Sequence, residues 1–273
     1  LPAPATGERL EGELLAALKK YQKNHQIRES GDLDAETIRS LNIPATRRVA
    51  QIAVSLQRWR ESRVGVDTGR DYIRVNIPEY FAELWDRGER VYRWKVVVGK
   101  YDKKEDEITH EERTVGFTPL ISDMMQFMVF NPTWTVPDQI RKKEYDKEIR
   151  KDETWMETHN FELYTDRDGK EWLRQKAGPE NLLGQVKFLF PNDYGVYMHD
   201  TPAKALFDRP TRAYSHGCVR VHKPLDLAEL ILRRDKRWGE KRTEDFIKAE
   251  LEKPEEDWVN LNRPIPVHIE YVN

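Results

Sequence analysis

What this sequence lacks narrows the reading first. Its 273 residues hold one cysteine, Cys218, so no internal disulfide can form, and an unpaired thiol in an oxidising compartment would be an oddity. The charges nearly cancel, 46 Lys and Arg against 48 Asp and Glu, which gives no electrostatic case for nucleic-acid binding. No apolar run approaches the length of a membrane span. The first residues carry neither the basic n-region nor the apolar h-region of a signal peptide. No Gly-rich phosphate loop, dinucleotide fingerprint, internal repeat or low-complexity tract is present, and no cofactor is expected. No pair of carboxylates is placed by sequence well enough to argue glycosidase chemistry.

What is there is a heavily charged chain, 34% charged and 38% hydrophobic, of a size for one good core plus a small second domain. Its chemistry is concentrated between Tyr194 and Leu225, which holds Cys218 and three of the seven histidines, His199, His216 and His222. Cys218 follows Ser215-His216-Gly217 and precedes Val219-Arg220-Val221. A thiol attacks a carbonyl as thiolate, and a nearby imidazole can take its proton. Gly217 lets backbone pass close to a reacting group, and the N–H groups of His216, Gly217 and Cys218 are candidates for an oxyanion hole. Two other readings stand beside the nucleophile: a buried structural thiol, and a zinc site using Cys218 with its histidines. The second lacks any Cys-x-x-Cys pair, and no metal is expected.

His199, the stretch 200–214, then Ser215-His216-Gly217-Cys218, an apolar residue and Arg220 resemble the signature of the L,D-transpeptidase catalytic domain. The stretches 130–137 (Phe130-Asn131-Pro132-Thr133-Trp134 onward) and 178–184 (Gly178-Pro179-Glu180-Asn181 onward) resemble its large Gram-negative branch. So do Lys187-Phe188 and Phe190-Pro191-Asn192. The resemblance runs from about Ser62 to the C-terminus. It implies a thioester at Cys218 formed from a peptidoglycan tetrapeptide stem with loss of D-alanine, then transfer to a diamino acid of a second stem, making 3→3 cross-links. It also implies a periplasmic location, acylation by carbapenems, His199 as general base, and a ring partner at Asp200, through its backbone carbonyl or its side chain. Ser215 and His216 would shape the loop, with His216 the rival base. Tyr197, Arg220 and Trp134 are expected to meet substrate, Arg220 through a stem carboxylate, although buried packing is an alternative for all three. Hydrolysis by the same cysteine, as a carboxypeptidase or endopeptidase, and non-catalytic wall binding stay open. Oligomeric state is not legible.

The architecture expected is mainly β, a curved or sandwiched sheet with peripheral helices, behind a small α-helical module. Residues 1–45 form that module. Leu10, Leu14, Leu15, Leu18 and Tyr21 mark one helix, and Asp34 caps a second through Ile38 and Leu41. Tyr21-Gln22 and Gly31-Asp32-Leu33-Asp34 resemble a helical peptidoglycan-binding domain, against the alternative of a packing hairpin. Residues 46–61 form a linker helix capped by Thr46, with Val49, Ile52, Ala53, Leu56 and Trp59 on one face. Residues 62–273 form the catalytic domain. Strands are expected at Tyr72–Ile77, Tyr80–Trp85, Val91–Val98, Thr114–Pro119, Met124–Phe130, Val186–Phe190, Gly195–Met198, Val219–Val221 and Val267–Tyr271, with a charged loop at Lys100–Arg113. Met124, Met125, Phe127, Met128, Val129 and Phe130 mark the core. Helices are expected from Pro224 to Arg234 and from Thr243 to Leu251. Residues 137–185 break the strand pattern, with Asp138 capping a helix to about Lys151, and read as a lid or capping insertion.

Overall fold

The computed structural model describes residues 10–64, 71–105, 112–234 and 240–272. Three helices lead: α1 (Gly12–Asn24), α2 (Ala35–Leu41) and α3 (Ala45–Glu61). Asp34 caps α2 as expected, its carboxylate accepting the Thr37 N–H at 2.8 Å. The hairpin of α1 and α2 is organised by Gln22, which is fully buried and bonds Asp32 O, Thr37 Oγ1, Ser30 Oγ and the Gly31 N–H. In α1, Leu18 is buried while Leu14 faces solvent. In α3 two expectations fail. Thr46 lies inside the helix, whose N-cap is Pro44, because proline's fixed φ starts a helix without a side-chain cap. Its apolar stripe of Val49, Ile52 and Leu56 is exposed, because the helix is anchored by its polar side instead: Ser55 is buried and Arg58 donates to Tyr271 O at 3.0 Å.

The rest of the described chain is built on strands β1 (Tyr72–Asn76), β2 (Phe81–Asp86), β3 (Glu89–Gly99), β4 (Asp102–Glu105), β5 (Glu112–Val115), β6 (Ile121–Phe130) and β7 (Trp134–Thr135). It continues with β8 (Phe161–Thr165), β9 (Glu171–Gln175), β10 (Val186–Leu189), β11 (Met198–His199), β12 (Ala213–Ser215), β13 (Val219–Val221) and β14 (Asp257–Glu270). Nine of them form one mixed sheet in the order β12-β3-β13-β11-β10-β6-β14-β1-β2, and a further β2–β3 pairing closes it on itself. The mainly β architecture with a helical N-terminal module is therefore as expected, and the opposed walls of the closed sheet enclose the core. Ile73, Val75, Trp94, Met125, Met128, Phe188, Met198 and Val267 fill it, while Met124 stays exposed.

Helices α7 (Pro224–Arg233) and α8 (Glu240–Leu251) add Leu227, Ala228, Ile231, Leu232 and Ile247 to the core. Proline sits in the first turn of α7, where its missing N–H costs nothing. On β1 the alternation holds, with Ile73 and Val75 in the core. Arg74 and Asn76 on the opposite face are buried too, because Arg74 pairs with Glu270 and Glu83 and lies over Trp59 of α3.

Several local expectations change. The charged stretch 100–113 is not wholly loop: β4 and β5 pair within it, and 106–111, with His110, lie outside the described residues. The strand expected over Thr114–Pro119 ends at Val115, where Gly116 turns the chain with positive φ. Gly195–Tyr197 is not strand, and β11 begins only at Met198. Strand β14 runs 14 residues and lies inside the sheet between β6 and β1. Residues 137–185 contain helix α4 (Asp138–Ile140), a π-helical turn (Arg141–Tyr145), α5 (Asp146–Lys151) and α6 (Trp155–Thr158). They also hold β8 and β9, which join β7 in a three-stranded sheet that strand reading missed. Asp138 caps nothing, since its carboxylate is held by Lys170 Nζ at 2.9 Å and Pro137 is the N-cap.

The Gln22 node yields a test. Gln22→Leu leaves buried partners bare, each at about 1–3 kcal/mol. Amide exchange across α1 and α2 is expected to rise sharply while alkylation of Cys218 keeps its rate. Unchanged exchange there would mean that something else holds the module.

Candidate active site

Two short strands build the site. β11 and β13 pair in parallel, with Met198 opposite Val219 and His199 opposite Arg220. Side chains alternate across a strand, so Met198, Val219 and Val221 enter the core, where none is exposed. His199 and Arg220 are thereby turned to the other side, and with Tyr197 and Cys218, which precede the two strands, they line one cavity of about 230 Å³.

The loop carrying Cys218 is tied at several points. Ser215 Oγ donates to Cys218 O at 2.5 Å and accepts the Gly217 N–H at 3.2 Å. Thr118 Oγ1 accepts the Gly99 N–H and donates to Gly217 O, both at 2.8 Å. Gly217 has φ +125°, a conformation few other residues hold. Of the three oxyanion-hole candidates, the Gly217 N–H is thus already engaged. Among the described residues no group accepts from the N–H of His216 or Cys218.

His199 is buried, and its Nδ1 lies 2.5 Å from Asp200 O. A carbonyl only accepts, so Nδ1 carries the proton and Nε2 keeps its lone pair. The ring partner at Asp200 is therefore the carbonyl. Its carboxylate instead accepts the Gln185 N–H at 3.0 Å and pairs with Lys204. A side chain at Gly184 would meet that carboxylate at 2.3 Å, so glycine is needed there. Burial, then the charge of Arg220 and more distantly Lys187, holds His199 down at about 3, against the bond to Asp200 O.

Cys218 is only partly exposed, and burial pushes its thiol up to about 11. The Tyr197 N–H, the Tyr197 hydroxyl and Arg220 pull in the opposite direction. Burial raises the pKa of the Tyr197 hydroxyl well above its ordinary value. Tyr197 and Trp134, expected to meet substrate, line the same cavity as the thiol. The resting pair is neutral thiol and neutral imidazole.

Arg220 Nε is buried without a hydrogen-bond partner, and burial lowers the Arg220 pKa. His216 does not join His199: its Nε2 lies 2.9 Å from Glu144 Oε1, on the π-helical turn of the 137–185 insertion. Pro137, Ile140, Glu144, Tyr145, Leu182 and Leu183 from that insertion complete the cavity wall. His222 packs against Phe207, outside the cavity. The zinc alternative finds no geometry, since among the described residues no three His, Cys, Asp or Glu side chains gather in a metal-binding group.

Sequence reading missed Thr118, Glu144, Lys187 and Glu256. Lys187 pairs across the sheet with His199, and Glu256 accepts from the Thr133 N–H at 2.6 Å beside Trp134. Only folding brings them to the site, and no local pattern marks them.

With the geometry in hand, comparison with known proteins is informative. A family model described as the L,D-transpeptidase catalytic domain, YkuD, matches residues 70–242. A Haemophilus influenzae protein with a provisional description as an L,D-transpeptidase is 28% identical over 229 residues, 76% of this chain. This chain spans only 43% of that relative's length. Among solved structures, an L,D-transpeptidase from Mycobacterium smegmatis aligns over 74% of this chain and 58% of its own, at 11% identity and a TM-score of 0.33. One from Xylanimonas cellulosilytica aligns over 98% and 99%, at 13% identity and a TM-score of 0.29. Those scores are too low to bear on either fold or site. The family model is what decides, because its match takes in the strand pair, the Cys218 loop and residues 137–185 together: the chain belongs to the L,D-transpeptidase catalytic domain family.

Proposed function

We propose that this protein is a peptidoglycan L,D-transpeptidase that works by acyl transfer through Cys218, in the cell envelope. The observation that carries the reading is the common face of Cys218 and His199, with Nδ1 committed to Asp200 O and Nε2 left as the base. The Cys218 S–H attacks the carbonyl of the third residue of a tetrapeptide stem, and Nε2 takes the thiol proton as the C–S bond forms. The oxyanion is met by the free N–H groups of His216 and Cys218. Collapse breaks the C–N bond, and the imidazolium returns the proton to the departing D-alanine amine. The side-chain amine of a diamino acid on a second stem then attacks the thioester. Its proton passes to Nε2 and on to the released thiol, leaving a 3→3 cross-link. Arg220 offers an unpaired cation to a stem carboxylate, and the 137–185 insertion acts as the lid that aligns the stem.

Mass spectrometry of products from a disaccharide-tetrapeptide tests this. A cross-linked dimer with loss of one D-alanine is the expected product. Loss of D-alanine without dimer would mean that water resolves the thioester, and no product at all would favour wall binding. A carbapenem is expected to add once, at Cys218, and an adduct surviving in Cys218→Ala would overturn the nucleophile.

The neutral resting pair predicts a pH profile. The Cys218 proton leaves only as pH rises towards about 11, and His199 gains one only near 3. Thiolate absorbance of the free enzyme is therefore expected to be small at neutral pH and to grow steadily in alkali. A thiolate signal already complete at about pH 8, below the ordinary thiol value, would contradict it.

The two histidines separate by substitution. His199→Ala removes the base for both half-reactions, and acylation is expected to fall by about 10²-fold or more. His216→Ala keeps its backbone N–H and loses only the tie to Glu144, so its defect should be the smaller. The reverse order of acylation rates would reassign the base.

A further inference from the structure

A second cleft lies beside the nucleophile loop. It has a volume of about 510 Å³, larger than the Cys218 cavity, and is lined by Tyr80, Tyr101, Phe117 and Tyr271. Its remaining walls include Thr118 and Ala213. Both belong to the nucleophile's support: Thr118 holds Gly217 O, and Ala213 opens the strand that ends at Ser215. The two cavities thus meet opposite sides of one loop.

Their chemistry differs sharply. The Cys218 cavity presents Glu144, His216 and Arg220. The second cleft is lined by no Asp, Glu, Lys, Arg or His, in a chain that is 34% charged. A charged stem peptide would lose its hydration there, and the nearby cations, Arg212 over the Tyr80 ring and Arg58 over the Tyr271 ring, do not line the cleft. A hydrocarbon would face the phenol hydroxyls of Tyr80 and Tyr271 instead. Tyrosine suits a ligand that is apolar on one surface and hydroxylated on its edge. Tyr80 is also held at φ +57°, an outlying conformation for a bulky residue. The strain is maintained by its surroundings: its carbonyl accepts from the Val96 N–H and from Arg212 Nη2, both at 2.9 Å. Phe117 and Tyr101 rise exposed on the other side.

We propose that this cleft is a binding subsite for neutral N-acetylated sugar rings. Their C–H faces lie against the aromatic side chains, and their hydroxyl and acetamido groups reach Tyr80 and Tyr271. The proposal rests on the acyl-transfer reading for its biological sense. A glycan strand seated here would present its stem to Cys218 around the loop, from the side of Thr118.

The test titrates an N-acetylglucosamine oligomer free of peptide into the full chain, with amide chemical shifts as the readout. Shifts are expected at Tyr80, Phe117, Thr118 and Tyr271, and equally in Cys218→Ala. Tyr101→Ala and Phe117→Ala, two exposed positions, are expected to weaken binding about tenfold each, as truncating an aromatic anchor does. Shifts elsewhere, unchanged affinity in both variants, or a concentration-dependent dimer that buries the cleft would overturn the subsite. Failure here with normal carbapenem acylation leaves the transfer reading standing. Normal sugar binding without acylation removes the transfer reading alone.

Discussion

The site depends on the register of one short parallel strand pair. Met198 and Val219 lie opposite one another with no exposed surface, and a slip of one residue would send them outward and drive His199 and Arg220 into the core. The hydrophobic core therefore fixes which side chains line the cavity, although neither His199 nor Cys218 belongs to it. Neighbouring strands extend the same control. Lys187 of β10 stands beside His199, and β3 pairs with both β12 and β13, so the two ends of the nucleophile loop hang from a single strand.

On that frame, desolvation outweighs every charge effect. It raises the thiol, lowers the imidazole and lowers Arg220, and in each case it is the largest cause of the shift. Arg220 assists Cys218 towards thiolate but pushes His199 towards neutrality, so one cation sustains both an activatable thiol and an available lone pair. Tyr197, beside Cys218 in the same cavity, pulls the thiol in the same direction as Arg220. For the proposed acyl transfer, this suits proton transfer during attack, not a preformed ion pair.

Much of this was legible in the sequence because the relevant signals are local. Period-two patterning located β1 to β3 and β6, Pro224 located α7, and the spacing of Ser215-His216-Gly217-Cys218 singled out the loop. Asp34 announced its cap. Some failures were local, at Pro44 and Gly116, while others turn on partners distant in sequence. Asp138 looked like a cap until Lys170 took its carboxylate, and the stripe on α3 looked like a buried face until Ser55 and Arg58 docked the helix by its other side. Periodicity finds an amphipathic face but cannot say which face is covered. The strands β8 and β9 escaped because their exposed, charged and aromatic residues mimic irregular surface. Glu144 and Thr118 carry no pattern of their own, and only the fold gives them a place beside the loop.

The protonated state of Cys218 has a consequence beyond the rate of attack. Oxidants and disulfide partners react with the thiolate, and a thiol kept protonated by burial is a poor target for both. The chain has no second cysteine to resolve a sulfenic acid. In the acyl transfer proposed above, its protection is therefore built into the resting state itself, in which His199 removes the proton only when a carbonyl is in place to receive the sulfur. Burial that looks like an obstacle to nucleophilicity thus works as storage, keeping the single sulfur unspent between encounters with substrate.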